Sequence, residues 1–109
     1  MATVDELFSA TDALGDLPDV CRRFAVRRLD LFGSAATGNG FDPLRSDLDL
    51  LVTFEPMEPG DYARAWFGLR EALEALAGRP IDLVTESAIK NPYFRERVEA
   101  ERRPLYPEP

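Results

Sequence analysis

The chain has 109 residues, of which 45% are hydrophobic and 30% charged, and these values are typical of one globular domain. Thirteen basic and twenty acidic residues give a net charge of −7, which argues against a broad nucleic-acid surface. Because histidine is absent and Cys21 and Lys90 are the only residues of their types, a Ser-His-Asp triad, a histidine–zinc site, an intrachain disulfide and a P-loop are excluded, and any catalysis must use carboxylates.

The first two elements are predicted to be helices. Val4, Leu7 and Phe8 recur at helical spacing after Thr3, a good N-cap residue, and a second short helix is predicted over 17–24. The opening residues resemble neither a signal peptide nor a transit peptide, and no segment has the length of a membrane span. Since a disulfide framework is also absent, we expect a cytoplasmic protein without membrane contact.

Two strands are predicted on either side of a glycine-containing loop. Val26–Phe32 is typical of a buried strand that ends at Gly33 and Ser34, and 37–45 is typical of a loop. The strongest strand pattern in the chain covers 47–54, where Leu48 and Leu50 alternate with aspartates.

The second half predicts a long helix ending at Ala77 with Asp61 as its cap, a short strand over Ile81–Thr85 and a last helix over 91–102. Prolines are expected to end regular structure from Pro104 onwards. The fold class is therefore α/β (α+β), a small mixed sheet of three to four strands flanked by helices. We expect a single domain over 1–103 and a proline-rich tail over 104–109.

Asp47 and Asp49 are two residues apart on a predicted strand, so their side chains share one face, with Cα atoms about 6.5–7 Å apart. Two like charges at about 5 Å repel by about 3 kcal/mol at an effective dielectric constant near 20. Mg²⁺ is the natural counter-ion, because it prefers oxygen ligands and leaves room for phosphate oxygens. The pattern alone is weak, since ten aspartates in this chain produce Asp-x-Asp about once by chance. A pair of exposed aspartates at the start of a strand is the alternative.

Gly33 and Ser34 directly follow a predicted buried strand. If Ser34 begins a short helix, free N–H groups and the serine hydroxyl form a site for an anion such as phosphate. The alternative is an ordinary strand-to-helix turn with Ser34 as its N-cap.

Asp82 lies between Ile81 and Leu83 on the third predicted strand. If this strand lies beside the strand of Asp49, three carboxylates and a phosphate site meet, and one or two divalent ions could assist in-line displacement at phosphorus. The alternative for Asp82 is a solvent-facing residue without chemistry.

The segments LFGSAATG, SDLDLLV and IDLV, in this order, resemble the minimal nucleotidyltransferase (MNT) family, a branch of the DNA polymerase beta-like nucleotidyltransferases. The resemblance covers 31–84, and 94–106 resembles the usual family ending. It implies the nucleotidyltransferase fold, a triphosphate site at Gly33 and Ser34, and catalytic carboxylates that bind Mg²⁺ at Asp47, Asp49 and Asp82. Thr37 departs from the family pattern, which commonly has arginine there, and Arg45 is a conceivable substitute.

The resemblance also implies a function, the transfer of AMP from ATP to a hydroxyl of a protein partner. Small MNT proteins commonly act as antitoxins that adenylylate a tyrosine of a HEPN ribonuclease toxin, and the acidic charge of this chain suits a basic partner. Two alternatives stay open. One is a non-catalytic antitoxin that neutralises its partner by contact, and the other is a small-molecule nucleotidyltransferase of the aminoglycoside type.

Overall fold

A four-stranded mixed sheet organises the protein. The computed structural model describes residues 11–37 and 47–107. In chain order the elements are α1 (Thr11–Arg23), β1 (Val26–Phe32), α2 (Ser34–Thr37), β2 (Leu48–Phe54), α3 (Pro59–Ala77), β3 (Ile81–Thr85), a 3₁₀ helix (Glu86–Ala88), α4 (Pro92–Glu101) and β4 (Arg103–Tyr106). The predicted fold class, a small mixed sheet flanked by helices, is confirmed.

The strands lie in the order β3-β2-β1-β4. β1 is antiparallel to both β2 and β4, whereas β2 and β3 are parallel. A parallel pair needs a crossover connection, and α3 supplies it between β2 and β3. The predicted bounds of β1 and β3 are confirmed, and β2 begins at Leu48, one residue later than expected.

The main core lies between the sheet and helices α1 and α3. Leu48, Leu50 and Val52 of β2 point to this face and pack with Leu69 and Leu73 of α3. All five are fully buried, and burial of each such side chain contributes about 1.5–3 kcal/mol. The predicted alternation of core-facing leucines with other residues along β2 is therefore confirmed.

A smaller core covers part of the opposite face of the sheet. Leu51 of β2 packs there with Phe32, Ile89 and Val98, and the ring of Phe94 on α4 meets that of Phe32 edge to face, with centroids 6.0 Å apart. The sheet is thus buried on both sides at Leu51, and α4 is held over the face that carries Asp49.

Helix α1 is longer than predicted. The sequence predicts a short helix over 17–24, but the helix begins at Thr11 and runs continuously over Gly15 and Pro18. Pro18 removes one helical hydrogen bond, whereas Leu17 and Cys21, four residues apart, are both buried against the sheet. Tertiary packing of this face outweighs the local preference for a break.

Helix α3 begins at Pro59, so Asp61 lies in its first turn and is not the cap. It ends at Ala77 as predicted, with Gly78 in the left-handed conformation (φ 65°) that commonly ends helices. Helix α4 is confirmed over Pro92–Glu101, and the Asn91 side chain accepts hydrogen bonds from the amides of its first turn.

The expectation that regular structure ends at Pro104 is wrong, because β4 contains that residue. β4 is an edge strand that pairs with β1, and a proline without an N–H is tolerated at such an edge. Leu105 is buried in the main core. The expected boundary between domain and tail at 103 therefore falls within a strand.

Three expectations lie outside the described residues, namely the first helix around Val4, the loop over 38–46 with Arg45, and the end of the chain at Pro109. Among the helices that are described, none has both the length and the apolar character needed to cross a membrane.

Candidate active site

Asp49 and Asp82 face each other across the parallel strands β2 and β3. They are register partners, and both point away from the main core because Leu48 and Leu50 point into it. Burial, the charge of Asp82 and a hydrogen bond with Asp82 raise the pKa of Asp49 to about 6. A carboxylate whose pKa is raised by a neighbouring carboxylate marks a place where positive charge is stabilised.

Asp47 immediately precedes β2 and is exposed. Its charge adds to the raised pKa of Asp49, so all three predicted carboxylates act on one region. Within 11–37 and 47–107, however, no group of three or more Asp, Glu, Cys or His side chains is arranged to hold a metal ion. The structure therefore brings Asp82 into contact with Asp49, and Asp47 acts on this pair through its charge.

The chemistry of the Asp49–Asp82 pair fits a hard divalent cation. Carboxylate oxygens are the ligands that Mg²⁺ prefers, and a cation between these two side chains would relieve the repulsion that helps to raise the pKa of Asp49. The three-residue ligand set of Asp47, Asp49 and Asp82 stays a prediction.

The turn after β1 packs directly against Asp49. Gly33 has a φ of 72°, a conformation that favours glycine, and a β-carbon at this position would overlap the Oδ2 atom of Asp49. The Gly33 carbonyl accepts hydrogen bonds from the amides of Ala36 and Thr37, both at 3.1 Å, which starts α2 at Ser34. Ser34 thus follows a turn that lies beside the carboxylate pair, and its role in phosphate binding stays a prediction.

Glu101, at the end of α4, contacts the same turn and was not identified from the sequence. Its Oε2 atom accepts a hydrogen bond from the Gly33 amide at 3.1 Å. Its Oε1 atom pairs with Nε of Arg97 at 3.4 Å, and the charge of Arg97 lowers the pKa of Asp49. The four-residue spacing of Arg97 and Glu101 on a predicted helix was the available signal, but it does not reveal which turn the helix meets.

Thr37 stands where the resembling family commonly has arginine. Its hydroxyl donates to the Gly33 carbonyl at 3.3 Å, so the side chain helps to close the turn.

A buried ion-pair cluster, which we define as Asp30, Arg102 and Glu86, anchors α4 to the sheet. Asp30 on β1 is completely buried and pairs with Arg102, the residue that follows α4. Arg102 also contacts Glu86 at 2.8 Å. Because Arg102 directly follows Glu101 in the chain, this cluster holds Glu101 next to Gly33.

A cavity of about 500 Å³ lies elsewhere, lined in part by Phe54, Tyr62, Trp66 and Thr85. Phe54 and Thr85 are the last residues of β2 and β3, whereas Asp49 and Asp82 are the second residues of these strands. The cavity therefore lies at the other end of the strand pair from the two carboxylates and is not part of their site.

Residues 17–105 match the family model described as "Nucleotidyltransferase domain". The chain is 38% identical over 77 residues to a Methanocaldococcus jannaschii protein that bears a protein adenylyltransferase name, with 71% of this chain and 74% of that protein covered. It is 35% identical over 91 residues to the protein adenylyltransferase MntA of Thermococcus cleftensis, with 84% and 85% covered.

Solved structures share the fold. One described as a minimal nucleotidyltransferase is 37% identical, with a TM-score of 0.63 and 85% of this chain and 89% of that chain covered. A toxin–antitoxin structure with AMP-PNP is 19% identical, with a TM-score of 0.62 and coverage of 85% and 72%. A complex of a tri-AMPylated Shewanella oneidensis HEPN toxin with an MNT antitoxin is 16% identical, with a TM-score of 0.56 and coverage of 86% and 69%.

Proposed function

Because the chain belongs to the nucleotidyltransferase domain family, in its minimal nucleotidyltransferase branch, we propose that it transfers AMP from ATP to a hydroxyl group. The observation that carries the proposal is the pairing of Asp49 with Asp82 beside the Gly33 turn. This arrangement offers carboxylate ligands for a cation next to a turn suited to phosphate, without any histidine.

In the proposed reaction, the acceptor oxygen forms a bond to the α-phosphorus of ATP while the bond from this phosphorus to the bridging oxygen breaks. Pyrophosphate leaves with the electron pair of that bond, and the hydroxyl proton passes to a carboxylate, for which Asp82 is the candidate. Gly33 and Ser34 would bind the triphosphate. Mg²⁺ held by Asp49 and Asp82, with Asp47 beside them, would neutralise phosphate charge.

The acceptor in this proposal is a tyrosine of a HEPN-type toxin, which makes the protein an antitoxin. Support comes from the relative named protein adenylyltransferase MntA and from the AMPylated HEPN toxin seen with an MNT antitoxin of the same fold. The net charge of −7 also suits a basic partner, because complementary charge speeds and orients association.

Incubation with Mg²⁺, α-labelled ATP and the product of the neighbouring gene tests the proposal. We expect wild-type protein to transfer label, and Asp49→Asn and Asp82→Asn each to reduce transfer by at least about a hundredfold. Asp61→Asn is the control, since Asp61 pairs with Arg64 on the remote helix α3. Undiminished transfer by both site variants would contradict the proposal.

Neutralisation by contact alone is a second candidate, favoured by Thr37 in place of a phosphate-binding arginine. It predicts that complex formation and neutralisation are unchanged in Asp49→Asn and Asp82→Asn and need no nucleotide. The same variants therefore separate the two functions.

A further inference from the structure

We propose that Arg97 of α4 is the cation that binds the phosphates of the nucleotide, in the role that Thr37 cannot fill, and that Glu101 holds it beside the Gly33 turn. This inference rests on the proposed function, because it requires a nucleoside triphosphate at that turn.

One carboxylate links the turn to the guanidinium. Oε2 of Glu101 accepts from the Gly33 amide at 3.1 Å, and Oε1 lies 3.4 Å from Nε of Arg97. The pair with Glu101 thus involves Nε, and the side chain of Arg97 is 66% exposed. The contact through Nε leaves the two terminal nitrogens available to a ligand, and a guanidinium binds phosphate oxygens through two donors at once.

The other arginines of this helix end are already engaged. Arg95 donates to the main-chain carbonyls of Glu86 and Ile89, at 3.2 and 3.1 Å. Arg102 is 7% exposed and held by the carboxylates of the buried ion-pair cluster. Arg97 is therefore the arginine of α4 that can turn to a ligand without breaking a structural contact of the fold.

The charge of the site favours such a group. Asp49 and Glu101 contact the Gly33 turn, Asp82 pairs with Asp49, and a triphosphate adds further negative charge. Arg97 reaches this region through Glu101, which contacts both its guanidinium and the amide of Gly33. The guanidinium therefore lies two contacts away from the turn that the proposal assigns to the triphosphate.

Affinity measurements with two probes test the role of Arg97. Dissociation constants for a non-hydrolysable ATP analogue and for inorganic tripolyphosphate, both with Mg²⁺, are compared between wild type, Arg97→Ala and Arg97→Lys. Arg64→Ala is the matched control, because Arg64 is 79% exposed and ion-paired on a helix surface but lies on α3. Adenosine, which has no phosphate, is the control ligand.

We expect Arg97→Ala to weaken both phosphate probes about tenfold or more, the range for hydrogen bonds that involve a charged group. Arg97→Lys keeps a point charge and should recover part of the affinity. Adenosine binding, the Tm and all values for Arg64→Ala should stay unchanged, since an exposed helix pair contributes little to stability.

Unchanged affinity of Arg97→Ala for both probes would overturn this inference, and label transfer that still depends on Asp49 would then leave the proposed function intact. If wild type binds tripolyphosphate through Arg97 but transfers no label, the phosphate site stands and the proposed function fails. Wild-type protein that binds neither probe overturns both.

Discussion

The backbone of Gly33 lies against the carboxylate of Asp49, so closely that a methyl group on Gly33 would overlap Oδ2. A side chain there would also have to adopt a φ of 72°, which costs about 1–2 kcal/mol. Gly33→Ala should therefore lower the Tm by about 4–15 °C and displace Asp49. We expect label transfer to fall even at temperatures where circular dichroism shows the variant to be folded.

Gly60→Ala is the control for this substitution. Gly60 lies in the first turn of α3 with open space around its Cα, so alanine should leave stability unchanged or raise it by up to about 1 kcal/mol. Wild-type transfer by Gly33→Ala would show that the contact with Asp49 has no role in the site.

Burial of Asp49 and repulsion by Asp82 should lower the stability of the protein without metal. The pKa of Asp49 is raised to about 6 from 3.8, so between these pH values the folded chain binds more protons than the unfolded chain. The free energy of unfolding therefore falls as the pH rises through this interval. Asp49→Asn should be more stable than wild type at pH 7.5 by about 1 kcal/mol, a value that allows for solvent screening.

Urea denaturation without and with Mg²⁺ measures this effect. Mg²⁺ should stabilise the wild type and leave Asp49→Asn unchanged, because the variant has no paired carboxylates to bind it. Asp16→Asn, a change at an exposed position of α1, should behave as wild type. A variant less stable than wild type at pH 7.5 would show that the repulsion is compensated elsewhere.

The parts of the fold set by local patterns were predictable from the sequence. β1 and β3 have the predicted bounds because a short apolar segment next to glycine or proline defines a strand locally, as β1 does before Gly33 and β3 after Pro80. The proximity of Asp49 and Asp82 was a conditional prediction, since it depends on which strands are neighbours. That relationship is set by the crossover through α3 and not by spacing in the chain.

The missed contacts are all long-range. Gly33 and Glu101 are 68 positions apart, and Asp30 and Arg102 are 72 apart. A periodic pattern identifies α4 as a helix but does not show which turn the helix contacts. This contact depends on the order of the strands in the sheet and on the pairing of β4, which follows the helix. β4 was missed for a related reason, since the prolines that argue locally against a strand are tolerated at the edge of a sheet.

Arg102 should be sensitive to substitution although it lies outside the candidate site. Arg102→Met leaves the buried carboxylate of Asp30 with the partly exposed Arg28 as its remaining partner, at 2.9 Å, so the cost should approach but not exceed the roughly 3–5 kcal/mol of a fully unpaired buried charge. Combining it with Asp30→Asn should recover part of this loss, because no unpaired charge is then buried. Chemical denaturation of the single and double variants measures both effects.

Glu99→Gln is the control for Arg102→Met. Glu99 also contacts Arg102, but its side chain is 52% exposed, so its removal should cost at most about 1 kcal/mol. A loss of similar size in Arg102→Met and Glu99→Gln would contradict a structural role for the buried ion-pair cluster.

Glu86 should contribute to the loss of stability in acid. Burial raises the pKa of Glu86. Hydrogen bonds from Thr53 and Arg102 outweigh this effect, so the pKa lies below its ordinary value of 4.5. Its contribution to stability is therefore complete above about pH 4.5 and is lost as the pH falls through the lower, folded-state pKa. Glu86→Gln should be less stable than wild type at pH 7 and lose less stability between pH 5 and 3.

Glu86 and Asp49 change the free energy of unfolding in opposite directions as the pH rises, because the pKa of Glu86 is lowered and that of Asp49 is raised. Acidification below about pH 4.5 protonates Glu86 and removes its stabilising contribution. A rise above about pH 4 ionises Asp49 in the unfolded chain first, which favours unfolding. Without metal, the stability advantage of Asp49→Asn over wild type should therefore grow between about pH 4 and 6 and then level off. Thermal unfolding of both proteins from pH 3 to 8 tests this, and a difference that does not change with pH would contradict it.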